Sequence, residues 1–401
     1  VNASRDYAAL VQRGLKLDLT RGKPSPRQLD LSDDMLKLPS SHRTADGLDA
    51  RNYGDLQGLP ELRELFGPLL QVPPAQLVVG GNASLAMMHD TIVHALLSKV
   101  PGAERRWVEE PEITFLCPVP GYDRHFTICQ EFGIKMVPVP MTAEGPDMDV
   151  VERLVADDAS VKGIWCVPKY SNPSGIVYGD ETVRRLAAMP AAAPDFRIFW
   201  DNAYAVHHLT DTPAELADLL ALCAEHGNAD RAFVYGSTSK VTLAGAGVAF
   251  FGSSPANVAW FLGNTRKQSI GPDKLNQLRH VEFLRDADGV AAHMRKHAEL
   301  IGPKFEVVDR VLAKELGDLA TWTSPQGGYF ISLDVPHAAE VVAKAKAAGI
   351  ALTPAGATHP YGQDPDDRTI RIAPTYPDLE ELEQAIAGLA VCVRLVAEEH
   401  A

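Results

Sequence analysis

Four short stretches carry residues that could do chemistry together. The first is Tyr235-Gly236-Ser237-Thr238-Ser239-Lys240, after the apolar run Ala232-Phe233-Val234. Its one lysine is hemmed in by small residues, which leave room for a bulky aldehyde on the amine. A desolvated lysine also gives up its proton readily, as Schiff-base chemistry requires. A surface lysine after a strand would look the same, so the other three stretches decide. Gly80-Gly81-Asn82-Ala83-Ser84 opens a helix and offers free N–H groups to a phosphate, or simply an N-cap by Ser84 or Asn82. Tyr170-Ser171-Asn172-Pro173-Ser174-Gly175 is an Asn-Pro turn from which Asn172 could donate to a phenolate oxygen. Trp200-Asp201-Asn202-Ala203-Tyr204 ends a buried strand in a carboxylate, which is costly unless paired. A protonated pyridine nitrogen is one partner for Asp201, and an N-cap role is the alternative.

These stretches must share one edge of a sheet. From residue 77 the pattern repeats as strand, loop and helix. The expected strands are Leu77–Val79, Ile113–Cys117, Met136–Val139, Gly163–Val167, Ile198–Trp200, Ala232–Tyr235 and Gly247–Phe251. They are short and continuously apolar, the mark of a mostly parallel sheet covered on both faces. Amphipathic helices fit between them, for example Ser84–Val100, Glu181–Ala188 and Ala214–Glu225. Ligands bind at the carboxyl ends of such strands. Asn172, Asp201 and Lys240 lie about one βα unit apart, so all three reach that edge. Phosphate cradle, phenolate donor, pyridinium partner and Schiff-base lysine are together the handles for pyridoxal 5'-phosphate.

A smaller α+β unit completes the chain. Residues 1–18 read as a helix, followed by the Gly/Pro-rich Leu19–Pro26. Residues 273–316 read as long and helical. Strand candidates follow at Gly328–Leu333, Ile350–Thr353 and Thr369–Ile372, with helices at Ala338–Ala348 and from Leu379 to the end. The expected division is a large domain over 49–285 and a small one of 1–48 with 286–401.

Composition bounds the rest. The 401 residues carry a net charge of −14, which disfavours nucleic acid and anionic membranes. No apolar run is of membrane-spanning length and no signal-peptide pattern opens the sequence, so a cytoplasmic location is expected. The five cysteines are scattered and form no CxxC pair, which fits reduced thiols rather than disulfides or zinc.

The ordered set Gly-Asn-Ala-Ser, Asn-Pro-Ser-Gly, Asp-x-x-Tyr and Ser-x-x-Lys resembles the fold-type I aminotransferases over nearly the whole chain, to Thr369-Ile370-Arg371-Ile372-Ala373-Pro374. The runs Ser239–Gly247 and Ile270–His280 are similar to an atypical bacterial aspartate aminotransferase subgroup sometimes labelled MocR-like. The resemblance implies that Lys240 binds the cofactor aldehyde and shuttles the substrate proton, and that Asp201 holds the pyridine nitrogen protonated. Asn172 and Tyr204 would bond the ring's O3′, and Tyr122 would stack on the ring. Gly81, Asn82, Ala83, Ser84 and Ser237 would hold the phosphate. Tyr53 would reach the phosphate of a neighbouring subunit, which implies a homodimer with shared sites. Arg371 would pair with the substrate α-carboxylate, beside the backbone of Gly22.

One departure stands out. Relatives carry a phosphate-pairing arginine seven or eight positions after the lysine, where this chain has Gly247 and Val248. The activity implied is transamination between amino acids and 2-oxo acids, with aspartate and 2-oxoglutarate expected. Arg266, with Lys274 as runner-up, is the expected reader of the distal carboxylate; in the better-known aspartate aminotransferases that the stretch resembles, the corresponding arginine comes from the partner subunit, and a solvated basic cluster is the alternative. Substrates of aromatic, kynurenine or 2-aminoadipate type, β-elimination, and a MocR-like ligand-sensing regulator remain alternatives. The regulator is disfavoured by the acidic charge and by the first aminotransferase motif arriving at Gly22, which leaves no room for a DNA-binding domain before it.

Overall fold

The computed structural model describes residues 3–401. It opens with α1 (Ala3–Gln12), β1 (Leu17–Asp18), α2 (Pro26–Asp30) and α3 (Pro60–Leu69). Next come β2 (Leu77–Val79), α4 (Ser84–Leu97), β3 (Thr114–Val119), α5 (Asp123–Glu131), β4 (Lys135–Thr142), β5 (Gly145–Pro146) and α6 (Met148–Asp157). Then follow β6 (Val161–Cys166), α7 (Asp180–Ala188), β7 (Arg197–Asp201), α8 (Leu219–Glu225), β8 (Ala232–Ser237), β9 (Ala249–Gly252) and α9 (Pro255–Thr265). The chain closes with α10 (Lys274–Leu284), α11 (Ala287–Leu316), β10 (Thr321–Trp322), β11 (Ile331–Asp334), α12 (Ala338–Ala347), β12 (Ile350–Ala351), β13 (Thr369–Ile372) and α13 (Leu379–Glu399).

The main sheet has the order β2-β9-β8-β7-β6-β3-β4-β5. Its centre, β8-β7-β6-β3-β4, is parallel, and β9 runs against both of its neighbours. All seven expected strands are present. The extra β5 is a two-residue return against β4, too short to leave a period in the sequence. Side chains alternate between faces as the pleat requires. Leu116, Ile164, Ile198, Trp200 and Val234 enter one apolar cluster, while Phe115, Cys117, Trp165, Phe199 and Phe233 enter another. Both faces are therefore covered, and continuous apolar strands are what such a sheet needs.

A separate cluster joins α1, α11 and α13 to the small antiparallel sheet β10-β11-β13, through Leu10, Val308, Leu312, Leu333, Ile372 and Leu389. Helix α11 serves both cores: Val290 and Met294 pack with the main sheet, Phe305 through Leu316 with the small one. Among the described residues, no helix is long and apolar enough to cross a membrane.

Several expected elements have different bounds, each for a local reason. The helical stretch 273–316 is two helices, because Arg285 takes φ 65° and Asp286 caps α11 by accepting from Gly289 N at 2.8 Å. Gly289 is required there, since a Cβ would lie 1.9 Å from Leu284 O. The helix expected over 1–18 stops at Gln12, and Leu17–Asp18 pairs instead with β12; residues 1 and 2 lie outside the described residues. Helix α8 begins only after Asp218, whose side chain accepts from Ala221 N at 3.0 Å.

Directly behind Lys240 lies a buried histidine pair. Val241 O accepts from His293 Nε2 at 2.7 Å and from His297 Nε2 at 3.0 Å. With Nε2 donating, His297 Nδ1 accepts from the Gln28 amide at 3.2 Å, and the same amide nitrogen donates to Tyr329 OH at 2.9 Å. Nearby, His280 Nε2 meets the hydroxyls of Thr238 and Thr242 at 3.1 and 2.9 Å. Burial pushes both His280 and His297 down to about 4 from the ordinary 6.5. The unfolded chain therefore binds more protons between these values, so stability is full above about 6.5 and is lost as pH falls toward 4. At pH 5 the loss should be on the order of 2 kcal/mol for each histidine. Thermal melts at pH 7 and pH 5 check this. His297→Gln keeps a donor for Val241 O but cannot titrate, and should show a smaller drop in Tm than the parent.

Candidate active site

The carboxyl ends of β3, β6, β7 and β8 open on one cavity of about 430 Å³. Gly22, Ala83, Ser84, Tyr122, Asn172, Asp201, Tyr204, Ser237, Lys240 and Arg371 all line it. Strand β7 carries Asp201 to the floor, where it is 3% exposed. Asp201 Oδ2 lies 3.0 Å from His125 Nε2, while Oδ1 is buried with no partner. The His125 ring is stacked on Trp165 at 4.3 Å and 9°. Sequence reasoning missed His125. The available signal was its place three residues after Tyr122, which puts both on one face at the start of α5.

Lys240 follows β8, with its Nζ 5.2 Å from the Tyr204 ring and 5.7 Å from that of Tyr329. Burial lowers the Lys240 pKa, and the charge of Asp201 opposes the shift. Beneath it, His207 packs edge-on against Tyr204 and Tyr329 at 5.5 and 5.8 Å. Burial first, then the charge of Lys240, hold the His207 pKa well below the ordinary value, so it stays neutral. Burial also raises the Tyr204 hydroxyl well above its usual range. It pushes Tyr122 up to about 12, with help from Asp201 and Asp123. Both phenols therefore remain donors at neutral pH.

Arg371 reaches the cavity from β13 and is 8% exposed. Its Nη1 donates to Asp123 Oδ1 at 2.9 Å and to Asn172 Oδ1 at 3.4 Å, and Nη2 donates to Thr353 Oγ1 at 3.1 Å. The guanidinium lies 5.0 Å over the Phe330 ring. Gly22 crosses the same ring so closely that a Cβ would sit 2.2 Å from its Cζ. Gly327 is pressed likewise against Tyr170, where a Cβ would lie 2.3 Å from the ring.

At the opposite wall, α4 begins at Ser84 after an Ala83 N-cap that supplies no side-chain bond. Its first N–H groups thus stay open to an anion. Ser239 Oγ donates to Asn82 O at 3.1 Å and ties this turn to the lysine loop. Gly81 and Asn82 do not line the cavity; the Asn82 amide points to Gly245 O at 3.5 Å. Nor do residues 247 and 248 leave room for a cation. A Cβ on Gly247 would lie 3.1 Å from Thr238 Oγ1, and Val248 is buried.

The two cations expected to read a distal carboxylate lie elsewhere in this chain. Lys274 is 2% exposed and donates to Asn52 O at 2.7 Å and Gly54 O at 2.8 Å. Its ammonium is committed to those carbonyls, which corrects the expectation that it meets substrate. Gly271 abuts the same loop, where a Cβ would lie 2.3 Å from Gly54 O. The run thus props the loop bearing Tyr53, which is 78% exposed and outside the cavity. Arg266 is exposed at the end of α9 and does not line the cavity. Three unexpected cations do: Arg21, Lys23 and Arg124. Lys23 Nζ sits 3.9 Å over the Tyr376 ring. Arg21 and Arg124 are exposed and form no ion pair among the described residues. Their signal was adjacency to Gly22 and Tyr122.

The groups present fit pyridoxal phosphate. They include an amine of lowered pKa, a buried carboxylate with one oxygen unpartnered, two protonated phenols and an uncapped helix N-terminus. Comparison with known proteins agrees. The family model described as aspartate amino-transferase matches residues 1–401. A Mycolicibacterium smegmatis protein is 56% identical over 98% of this chain and 94% of its own length. The aspartate aminotransferase of Corynebacterium glutamicum is 49% identical over 99% of this chain and 93% of its own. A crystal structure of an aspartate transaminase from the same species superposes with a TM-score of 0.97 at 48% identity, covering 100% of this chain and 95% of that one. With site geometry, fold and full-length similarity in agreement, this chain belongs to the aspartate aminotransferase family of pyridoxal-phosphate-dependent, fold-type I enzymes.

Proposed function

We propose that this transaminase moves the amino group of aspartate to 2-oxoglutarate, giving oxaloacetate and glutamate. The carrying observation is the distribution of cations around the cavity. Of the five that line it, Lys240 lies over the Asp201 floor, Arg371 has carboxylate-binding geometry and Lys23 is held over Tyr376. Arg21 and Arg124 remain, unpaired and at the rim. A dicarboxylic substrate needs two cations, and this wall has a second one to offer. The 49% identity to an enzyme named as an aspartate aminotransferase supports the same substrate.

Pyridoxal phosphate, when bound, supplies an aldehyde and an electron-withdrawing ring that make the amino acid Cα–H acidic. The chain supplies the rest. Lys240, whose pKa burial lowers, is the group that takes and returns the Cα proton. Asp201, held by His125, would offer its unpartnered oxygen to the pyridine N–H and so favour the charged nitrogen. Asn172 and Tyr204 would donate to the ring hydroxyl oxygen, and Tyr122 would cover the ring face. Ala83, Ser84 and Ser237 hold the phosphate with Ser239, and the helix N-terminus offsets its charge in place of the missing arginine. Gly81 and Asn82 serve by shaping the turn. Arg371 takes the α-carboxylate beside Gly22.

A homodimer fits this reading. Tyr53 and Ile270 are 78% and 65% exposed on the two loops that Lys274 and Gly271 hold together. Their apolar surface and the placement of Tyr53 outside its own cavity suit contact with a second copy. The large unit over 49–285 would carry the cofactor, and 1–48 with 286–401 the carboxylate-binding wall. A cytoplasmic location and amino acid and 2-oxo acid partners, with no nucleic acid, complete the proposal.

Three outcomes are expected. Lys240→Ala should abolish transamination and the borohydride-reducible adduct; mapping of the reduced cofactor to another lysine would refute the site. Asp201→Ala should cost ~3 kcal/mol or more of barrier in kcat, with a smaller loss of cofactor affinity. Turnover within a few-fold of the parent would refute its role. Arg124→Ala and Arg21→Ala should penalise aspartate and glutamate relative to alanine and phenylalanine. A pair that stays solvated at the rim is worth under about 1 kcal/mol in kcat/KM, and one that bound substrate closes off from water roughly 2–4 kcal/mol. Equal losses for all four substrates in both variants would remove the basis for a dicarboxylate enzyme. Arg266→Ala tests the remaining candidate: a loss confined to aspartate and glutamate would mean that Arg266 reaches the site of a second copy.

A further inference from the structure

The α-carboxylate fork of this protein already holds a carboxylate of its own. Asp123 Oδ1 accepts from Arg371 Nη1 at 2.9 Å, and Asp123 lines the same cavity. The Arg371 side chain is 8% exposed, whereas that of Asp123 is 31% exposed. Nη2 is tied to Thr353, and Nε is buried without a partner. The fork is thus half satisfied by protein groups and half free. An incoming carboxylate cannot simply add to it. Two carboxylates on one buried guanidinium would leave a net negative charge in a partly desolvated wall, which is costly.

We propose that Asp123 is a built-in competitor for the substrate α-carboxylate, and that substrate binding is an exchange of one carboxylate for another on Arg371. The proposal rests on the reading of Arg371 as the α-carboxylate site. Two features make Asp123 suited to leaving. Its side chain is partly open to solvent, so release does not strand a charge in the interior. It is also the first residue of α5, where the helix N-terminus stabilises a carboxylate whether or not Arg371 is its partner. Before release it does useful work, because a fork braced by Asp123, Asn172 and Thr353 is held in position against the Phe330 ring. No covalent step is involved; the ion pair with Asp123 is broken and that with the ligand is made.

The consequence is a uniform discount on affinity for every ligand that uses Arg371, which raises KM without touching the chemistry. Apparent affinity is reduced by the fraction of molecules in which the fork is available, so removing the competitor should tighten binding roughly 10-fold. The test uses the holoenzyme and maleate, a non-reacting dicarboxylate, with Kd read from the change in cofactor absorbance. Asp123→Asn is nearly isosteric and Asp123→Ser retains a residue suited to a helix N-terminus; circular dichroism and Tm check that each is folded. Maleate should bind about 10-fold more tightly to both, and KM should fall for aspartate and 2-oxoglutarate together, by more than any change in kcat. Unchanged or weaker maleate binding in both folded variants would overturn the exchange and leave Asp123 as a brace for Arg371. Arg371→Lys separates the two readings. If it leaves maleate affinity unaltered, the placement of the α-carboxylate on Arg371 is wrong. If it weakens maleate while the Asp123 variants do not tighten it, only the exchange is wrong.

Discussion

The buried carboxylate of Asp201 is the constraint on which the site depends. A charge at the end of a central strand, 3% exposed, carries a large desolvation cost and needs a partner. The protein supplies half of one. His125 meets Oδ2, and its ring is fixed in turn by stacking on Trp165. Oδ1 remains without a donor. A protonated pyridine nitrogen would complete the pair, so the same unmet valence that destabilises this corner favours the cofactor there. Burial raises the pKa of Tyr122, Tyr204 and Tyr235, and the charge of Asp201 adds to each of these shifts, while it opposes the lowering of the Lys240 pKa by burial.

The first turn of α5 explains how so many functions converge on one strand edge. Strand β3 is parallel to β6, so the helix that follows it starts at the carboxyl edge of the sheet. Four successive residues there have four different settings, although the rings of Tyr122 and His125 share one face. Tyr122 faces the cavity, Asp123 meets Arg371, Arg124 stands at the rim and His125 holds Asp201. A helix start can do this because consecutive side chains radiate in different directions. It is also a place where Asp123 is favoured by the backbone dipole itself.

What could be read in the sequence follows from the range of the interactions involved. Seven strands of the main sheet were legible because each is a short run buried on both faces, as Ile198–Trp200 shows. Lys240, Asp201 and Asn172 were legible because chain order places them at strand ends. The break at Arg285 was not, since it depends on one residue at positive φ and on a glycine packed against Leu284 O. Nor was the fate of Lys274: a cation in a Gly-Pro-Asp-Lys run looks available until the structure shows two carbonyls around it. Arg21 and Arg124 were missed for the converse reason. Adjacency to Gly22 and Tyr122 was the one local signal, and it does not separate a cation that lines the cavity from a solvated one.

The network behind Lys240 ties the two cores together around one cavity. The carbonyl after the lysine is gripped by His293 and His297 of α11, the helix shared by both cores. His297 passes through Gln28 to Tyr329, and Gln28 also accepts from Ser25 N, a few residues beyond Gly22. The wall that carries Gly22, Phe330 and Arg371 is thereby tied to the loop that carries Lys240 by hydrogen bonds that are almost entirely buried. Each link has a single acceptable orientation. If the Gln28 amide were reversed, its nitrogen would face Ser25 N–H and its oxygen would leave Tyr329 to donate instead of accept. A chain of this kind gives little freedom for the carboxylate wall to move independently of the amine. In the proposed placement, the span from a carboxylate on Arg371 to a Cα above Lys240 would therefore be set by protein contacts rather than by the ligand. The proposed exchange of Asp123 for a substrate carboxylate would then alter charge pairing at a fork whose location is already fixed.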